Sequence, residues 1–486
     1  MLCSDLRERE LTTRQAALID SAFEEGQYES GIAMLEQLCS PTNHPSRSHV
    51  RQLLYIALYP PSPTRINPKT TQESPSKLSS RHAYSSLFPS PTASELAKRT
   101  LRVLADINSP TSLLRALPAY RDPNDADDAP PDFDPELPSD VDSFVASEAI
   151  RLKNSKNCWN ILKFGFIRSL ADGSSTVPGS PRKRRRGNAA AADFGPVNGE
   201  DTSLVVGENA WPILDWLLVL FEKDETMTKA SQQGTRYSPL LLAQIPPTRS
   251  DAGTKWDAND PLEIVFHCFK QQDDARRAMG SRLLNLLINL TSTNLFDLPL
   301  FMNLLIPRLP SGASEMRELL SGMSSTSTLC KFKLALCQRY LTRACVGSCT
   351  SKGRGRPRAQ PRPIPARKRV AKQDPTVLMV SDSKPEIAPL LNQNQHALPP
   401  ASELLHLLSM KTNANALSNI IKYDLIVTYG ILQHQTPTEN RSQDWMKMLQ
   451  SGRVKEAVEE AFGASEDQQS SQTSQRILLR MIATWQ

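Results

Sequence analysis

The stretch SKGRGRPRAQPRP, residues 351–363, holds five arginines or lysines, three prolines and two glycines, and no acid. Its chemistry is electrostatic. Glycine lacks the Cβ that restrains a backbone, and proline lacks the amide hydrogen that helices and sheets use, so the stretch suits neither. Between 351 and 372, Lys352, Arg358, Arg362, Arg367, Lys368, Arg369 and Lys372 flank Arg354 and Arg356, again without an acid. Such a run pairs with a polyanion, releases its counterions, and binds with an affinity that falls steeply with salt. A second run, Arg182, Lys183, Arg184, Arg185 and Arg186, lies in SPRKRRRG.

Groups for covalent chemistry are not assembled in the same way. There is no GxxxxGK phosphate loop, GxSxG elbow, HExxH pair or regular Cys/His grid. His44 and His49 fall in a loop, His82 in a Ser-rich linker, and His267 and His406 inside helices. Cys330, Cys337, Cys345 and Cys349 cluster, but without a CxxC pair or a nearby histidine, so they read as small buried apolar residues, not as a zinc site. The expectation is a protein that is not an enzyme, with no catalytic or metal-binding residues, no cofactor and no small-molecule substrate.

Within the first basic stretch, KGRGRPR resembles an AT-hook, the short minor-groove binder of high-mobility-group and many chromatin proteins. The match covers Lys352, Arg354, Gly355, Arg356, Pro357 and Arg358. Gly355 would let the backbone enter a groove about 6 Å wide, and Pro357 would keep the chain extended. Arg354 and Arg356 would then run in opposite directions along the groove floor. A·T tracts have the narrow, strongly negative groove that admits them and lack the guanine amino group. Two alternatives stand beside this reading: an import signal that meets DNA only incidentally, and RNA binding, although no aromatic residue interleaves the charges to stack on bases.

Arg182 to Arg186 read as a nuclear-localisation signal recognised by an importin, with ARKRVAK as a second candidate. Ser180, before Pro181 and three positions from Lys183, and Ser74 in SPSK resemble proline-directed kinase sites. Phosphate at Ser180 would offset the adjoining positive charge. The expected location is the nucleus.

The elements that must carry these segments are helical. The hydrophobic share of 39% is low and 37 prolines is high, so part of the chain is expected to be disordered. Residues 12–39 read as two amphipathic helices broken at EEGQYES, where Gly26 ends the first and Tyr28 packs between them. Gly26, Tyr28, Gly31 and Leu35 stand as in half of a tetratricopeptide repeat, which this segment resembles. HVRQLLYIALYPP gives a third helix stopped by Pro60 and Pro61, and Ser94 reads as the N-cap of SELAKRTLRVLADI. Asp122 to Asp142 hold nine acids, five prolines and no base, which reads as a solvated spacer, with folding back onto the basic loops or histone binding as the alternatives. In the helix starting AWPIL, Pro212 belongs to the first turn; Asp260 and Pro261 read as an N-cap and first-turn pair.

LLNLLINL, Leu283 to Leu290, looks like the buried helix of an armadillo unit. The fold expected is all-α, an irregular armadillo- or HEAT-like α-solenoid interrupted by long disordered loops. Its parts are helical hairpins at 1–59, a Ser/Pro linker at 60–93, helices at 94–171 with the acidic loop 122–142, a basic loop at 172–208, a helical-repeat core at 209–349, the loop with the AT-hook resemblance at 350–400, and helices at 401–486. No apolar run is long enough to cross a bilayer and the first residues have no signal-peptide pattern, so no membrane partner is expected. The reading that follows is a nuclear chromatin-associated scaffold or regulatory subunit in transcription or chromatin organisation. It would bind A·T-rich DNA, an importin, and an unidentified nuclear protein or complex. The alternative is a helical-repeat adaptor whose basic loops serve import only.

Overall fold

The computed structural model describes residues 8–59, 88–120, 143–167, 205–231, 236–250, 253–293, 296, 298–349, 398–410, 416–463 and 468–485. The described chain is predominantly helical, with two short two-stranded sheets that the sequence pattern did not announce. It divides into two units, Met1–Leu309 with Ser321–Ser324, and Pro310–Leu320 with Ser325–Gln486.

The first unit opens with β1 (Arg9–Glu10), which pairs in parallel with β2 (Asn43–His44). Helix α1 (Thr13–Glu24) starts at a capping box, the Thr12 hydroxyl accepting from the Gln15 amide and the Gln15 side chain accepting from the Thr12 amide. Gly26, at φ 73°, ends the helix in the left-handed region, and Tyr28 at the head of α2 (Tyr28–Leu38) is buried 6.2 Å from the Phe23 ring. Gly31 is required by this contact, because a Cβ there would lie 2.5 Å from a Phe23 ring carbon. Helix α3 (Arg47–Leu58) stops short of Pro60 and is almost wholly buried from His49 onward.

Helix α4 (Pro91–Ile107) begins earlier than the sequence reading placed it. Ser90, not Ser94, is the N-cap: its hydroxyl accepts from the Ala93 amide at 2.9 Å, and Pro91 takes the first helical position, where a missing amide hydrogen costs nothing. Ser94 lies inside the helix and donates to the Ala57 carbonyl at 3.1 Å. Helices α5 (Pro110–Leu114), α6 (Phe144–Lys153) and α7 (Cys158–Ile161) follow, then α8 (Trp211–Ser231), with Pro212 in its first turn, and α9 (Pro239–Leu242). An antiparallel hairpin, β3 (Pro247–Ser250) and β4 (Gly253–Trp256), precedes α10 (Asn259–Phe269). The cap there also differs from expectation. Ala258 is the N-cap, Asp260 sits in the first turn, and Asp257 Oδ1 accepts from the Asn259 amide at 3.0 Å. Helices α11 (Asp274–Leu290) and α12 (Leu298–Leu305) complete this unit, and Leu283 to Leu290 are buried apart from half-buried Asn285.

Neighbours pack in a run: α1 on α2, α2 and α3 on α4, α4 on α8, α8 on α11, and α11 on α10. Polar groups fix this run. Lys223 of α8 donates to the carbonyls of Ala105, Asp106 and Asn108, closing the end of α4. Arg282 of α11 donates to both Glu222 oxygens at 2.7 and 2.8 Å and to Asp215 at 2.5 Å, while Arg102 of α4 reaches the same Asp215. Three helices thus share one ionic node.

In the second unit, α13 (Ala313–Gly322, counted here to Leu320), α14 (Ser327–Cys349), α15 (Ala401–Ser409) and α16 (Ala416–Gln435) are followed by α17 (Gln443–Gln450), α18 (Arg453–Gly463) and α19 (Gln468–Trp485). Its core lies between α14 and α16 and between α16, α18 and α19. Lys422, buried in α16, donates to the Leu408 and Met410 carbonyls at 2.8 and 2.9 Å and so closes α15. Tyr429, Trp445 and Trp485 form an aromatic chain with centroids 4.9 and 6.3 Å apart. Trp485 lies over Gly430, where no side chain fits.

Candidate nucleic-acid interface and its helical frame

Lys352, Arg354, Gly355, Arg356, Pro357 and Arg358 lie outside the described residues, as do Arg182, Lys183, Arg184, Arg185, Arg186, Ser74 and Ser180. The structure does describe the points from which these segments leave the body and return to it. The 350–397 segment leaves α14 and returns just before α15. Those two helices are joined within one unit: Gln338 of α14 donates to Glu403 of α15 at 2.6 Å. The α14 face bearing Leu329, Phe332, Leu336 and Leu341 is buried, which fixes the helix against α16. Arg339 and Arg343, one turn apart on the outer face of α14, are exposed.

Three segments in the first unit leave from closed bases. Residues 60–87 depart between Tyr59 and Phe88, whose rings stack at 6.3 Å. Phe88 meets Phe144 edge-on at 5.2 Å, and Phe144 meets Tyr55 at 6.2 Å, so one aromatic cluster also holds the return of the 121–142 segment. Its departure is held by the Tyr120 amide, which donates to the Ala243 carbonyl at 2.8 Å. For 168–204, the Gly207 amide donates to the Leu162 carbonyl at 2.9 Å. Loop-closure entropy rises only by about 0.6 kcal/mol per doubling of length, so a body with such bases tolerates long insertions.

The described titratable groups act mainly as structural partners. His49 lies in α3 and His44 in β2, both buried, where the sequence reading had put them in a loop; the surrounding apolar positions of α3 draw in a residue whose ring Nε2 meets Asp20 at 3.1 Å. His267 stacks on Trp211 at 5.8 Å, with the Arg276 guanidinium 4.7 Å from the same ring. Burial pushes the Cys39 and Cys268 thiols up to about 12 and raises Cys158, Cys330 and Cys337 as well, so none of these sulfurs is a thiolate near neutrality. No group of three or more His, Cys, Asp or Glu among the described residues is placed to hold a metal ion. No helix among them is long and apolar enough to cross a membrane.

Buried carboxylates have assigned tasks. Asp224 accepts from Ser238 and from the Leu240 amide at the start of α9; burial raises its carboxyl, and these bonds oppose the rise. Glu225 accepts from Arg236 at 2.9 Å and from Asn289 at 2.6 Å. One polar feature had no signal in the sequence: a cleft in the second unit between α13, α16 and α19, lined by Ser314, Arg317, Asn419, Ser471 and Ser474. Its residues come from three distant stretches, each of which alone resembles an ordinary helix surface. No known protein family, curated protein or solved structure matches this chain.

Proposed function

We propose that the chain is a nuclear chromatin-associated scaffold or regulatory subunit. Its helical body, arranged as an irregular armadillo- or HEAT-like solenoid, binds a nuclear protein partner, and residues 352–358 bind the minor groove of A·T-rich DNA. The observation that carries this reading is the acid-free basic run around Arg354-Gly355-Arg356-Pro357, in a segment that leaves and re-enters the second unit through two hydrogen-bonded helices. Side-by-side packing of helices in a run through the first unit supports the solenoid reading. In the same proposal, Arg182 to Arg186 engage an importin, Ser180 and Ser74 are kinase targets, and the chain carries out no catalysis.

Gel-shift titration of the full chain with A·T-rich and G·C-rich duplexes tests the DNA reading. The expected result is tighter binding to the A·T-rich duplex, with affinity falling steeply with salt. Arg354→Ala with Arg356→Ala should abolish the preference and leave a weaker, sequence-blind attraction from the flanking cations. Equal affinity for the two duplexes in the unsubstituted protein would refute the reading and favour the adaptor with import signals only. For import, alanine at Arg182 to Arg186 should shift the protein to the cytoplasm, and Ser180→Glu should reduce nuclear accumulation.

A further inference from the structure

The cleft between α13, α16 and α19 has a volume of about 150 Å3. A cavity of about that size accommodates a benzene-sized molecule, so a tetrahedral oxyanion fits within it. Its polar wall carries one guanidinium, one amide and three hydroxyls, of which the Asn419 amide and the Ser471 hydroxyl already have partners. Arg317 reaches it from α13, Asn419 from α16, and Ser314, Ser471 and Ser474 from α13 and α19; Ile420 provides an apolar wall, and no acidic residue lines it.

Arg317 forms no hydrogen bond or ion pair among the described residues, and the hydroxyls of Ser314 and Ser474 have no partner there either. Ser471 already donates to the Phe462 carbonyl at 2.7 Å. Arg317 acts electrostatically on Asp424: burial raises that carboxyl, while Lys333 and Arg317 oppose the rise. Glu315 turns back toward Gly312 at the start of α13, where its carboxyl would lie 3.1 Å from a Cβ at that glycine. Asp424 is paired with Lys333 at 3.6 Å, both side chains largely buried. A planar guanidinium offers five N–H donors in a fork that fits two oxygens of one anion. Two free hydroxyls on different helices supply donors for further oxygens. A phosphate group has enough oxygens for this set, whereas a carboxylate has two, both in one plane.

We propose that this cleft is a phosphate-binding site, with Arg317 as the charged clamp and Ser314 and Ser474 as the neutral donors. The group enters either as free phosphate or as the phosphorylated serine or threonine of a peptide.

Isothermal titration calorimetry on the full chain tests this with two probes, inorganic phosphate and a short phosphoserine peptide beside its unphosphorylated form. Saturable binding of at least one probe is expected below about 10 mM at physiological salt, equivalent to a few kcal/mol of affinity. Arg317→Ala should weaken binding by about tenfold or more, as expected on losing hydrogen bonds to a charged group. Arg317→Lys should recover part of the loss, since it keeps the charge but not the fork. Ser314→Ala with Ser474→Ala should weaken binding by a smaller factor. The melting temperature of Arg317→Ala without phosphate should change little, because the side chain is exposed and its attraction to Asp424 is only a minor influence beside Lys333. Phosphopeptide binding about tenfold tighter than inorganic phosphate identifies a peptide source, and equal affinity identifies the free ion. Either result supports the site, provided it depends on Arg317, since the basic segments elsewhere are intact in every variant. Absence of saturable binding by both probes, or binding that survives Arg317→Ala undiminished, overturns the proposal.

Discussion

Gly430 offers a test in which two effects of opposite sign compete. A Cβ at this position of α16 would stand 2.2, 2.4 and 2.6 Å from three ring carbons of Trp485, where carbon contacts settle at about 3.5–4.0 Å. The ring must therefore move by more than an ångström off Gly430, which disturbs its 6.3 Å pairing with Trp445. Overpacking of this kind costs about 1–3 kcal/mol, and a lost aromatic pair about 0.5–1.5 kcal/mol. Alanine is favoured over glycine inside a helix by about 1 kcal/mol. The clash wins. Gly430→Ala is expected to destabilise α16 by about 1–2 kcal/mol. With Trp485→Ala already in place the obstacle is absent, only helix propensity remains, and the same substitution should stabilise by about 1 kcal/mol. The sign change corresponds to a coupling of about 2–3 kcal/mol in a double-mutant cycle. Amide exchange read by mass spectrometry over residues 416–435 of the full chain reports the opening free energy of this helix. Slower exchange for Gly430→Ala in both backgrounds, or additivity of the two substitutions, would refute the packing argument.

Gly280→Ala in α11 places a Cβ 2.8 Å from the Cys268 Cβ and 3.1 Å from the Val265 carbonyl, atoms that move only with the α10 backbone, so the melting temperature should fall by the equivalent of about 1–3 kcal/mol. Glu225→Ala strands Asn289 in the interior while Arg236, half-exposed, turns to water; urea denaturation should show a loss of about 1–3 kcal/mol, and less for Glu225→Gln. Ser90→Ala removes the N-cap of α4 and should cost about 1 kcal/mol. Ser90 also holds the Glu29 carboxyl below its usual 4.5 by hydrogen bonding, with burial opposing and Thr92 assisting. A carboxyl lowered on folding contributes stability that is present above pH 4.5 and lost as pH falls through the folded value, so acid titration of stability should be flatter in Glu29→Gln and Ser90→Ala than in the unsubstituted chain.

Local chemistry was legible where one stretch of sequence decides the outcome. Gly26 and Tyr28 marked the first helix break because a left-handed glycine and a following buried aromatic are near neighbours in the chain. Leu283 to Leu290 showed their burial because the run is apolar around most of its circumference. Caps were less secure. Ser90 and Ser94 are both good N-cap residues, and the choice rests on Pro91 at the first turn and on Glu29, distant in sequence, receiving the Ser90 and Thr92 hydroxyls. Lys223, Asp215 and Lys422 read as ordinary helix charges, yet each holds the end or face of another helix. The Arg317 cleft was hidden for the same reason. The basic stretches stood out in sequence because charge density needs no folding to be counted.

The expectation that residues 60–93 act as a linker, though α4 already begins at Pro91, has a thermodynamic signature set by the base at Tyr59 and Phe88. Those rings lie 6.3 Å apart, so a short glycine-serine bridge can join the chain ends without disturbing them. A segment that supplies no packing of its own influences stability through closure entropy alone. Cutting residues 62–86 to roughly a quarter of their length should then raise stability by about 1 kcal/mol, two halvings at about 0.6 kcal/mol each. The melting temperature should rise slightly, and amide exchange in α3 and α4 should slow or stay unchanged. A segment that packs on the body would give the opposite sign, because its removal exposes apolar surface at about 25 cal/mol per Å2. A fall in melting temperature with faster exchange in α3 would therefore show that the Ser/Pro stretch belongs to the folded body, and the closed-base account of the insertions would fail with it.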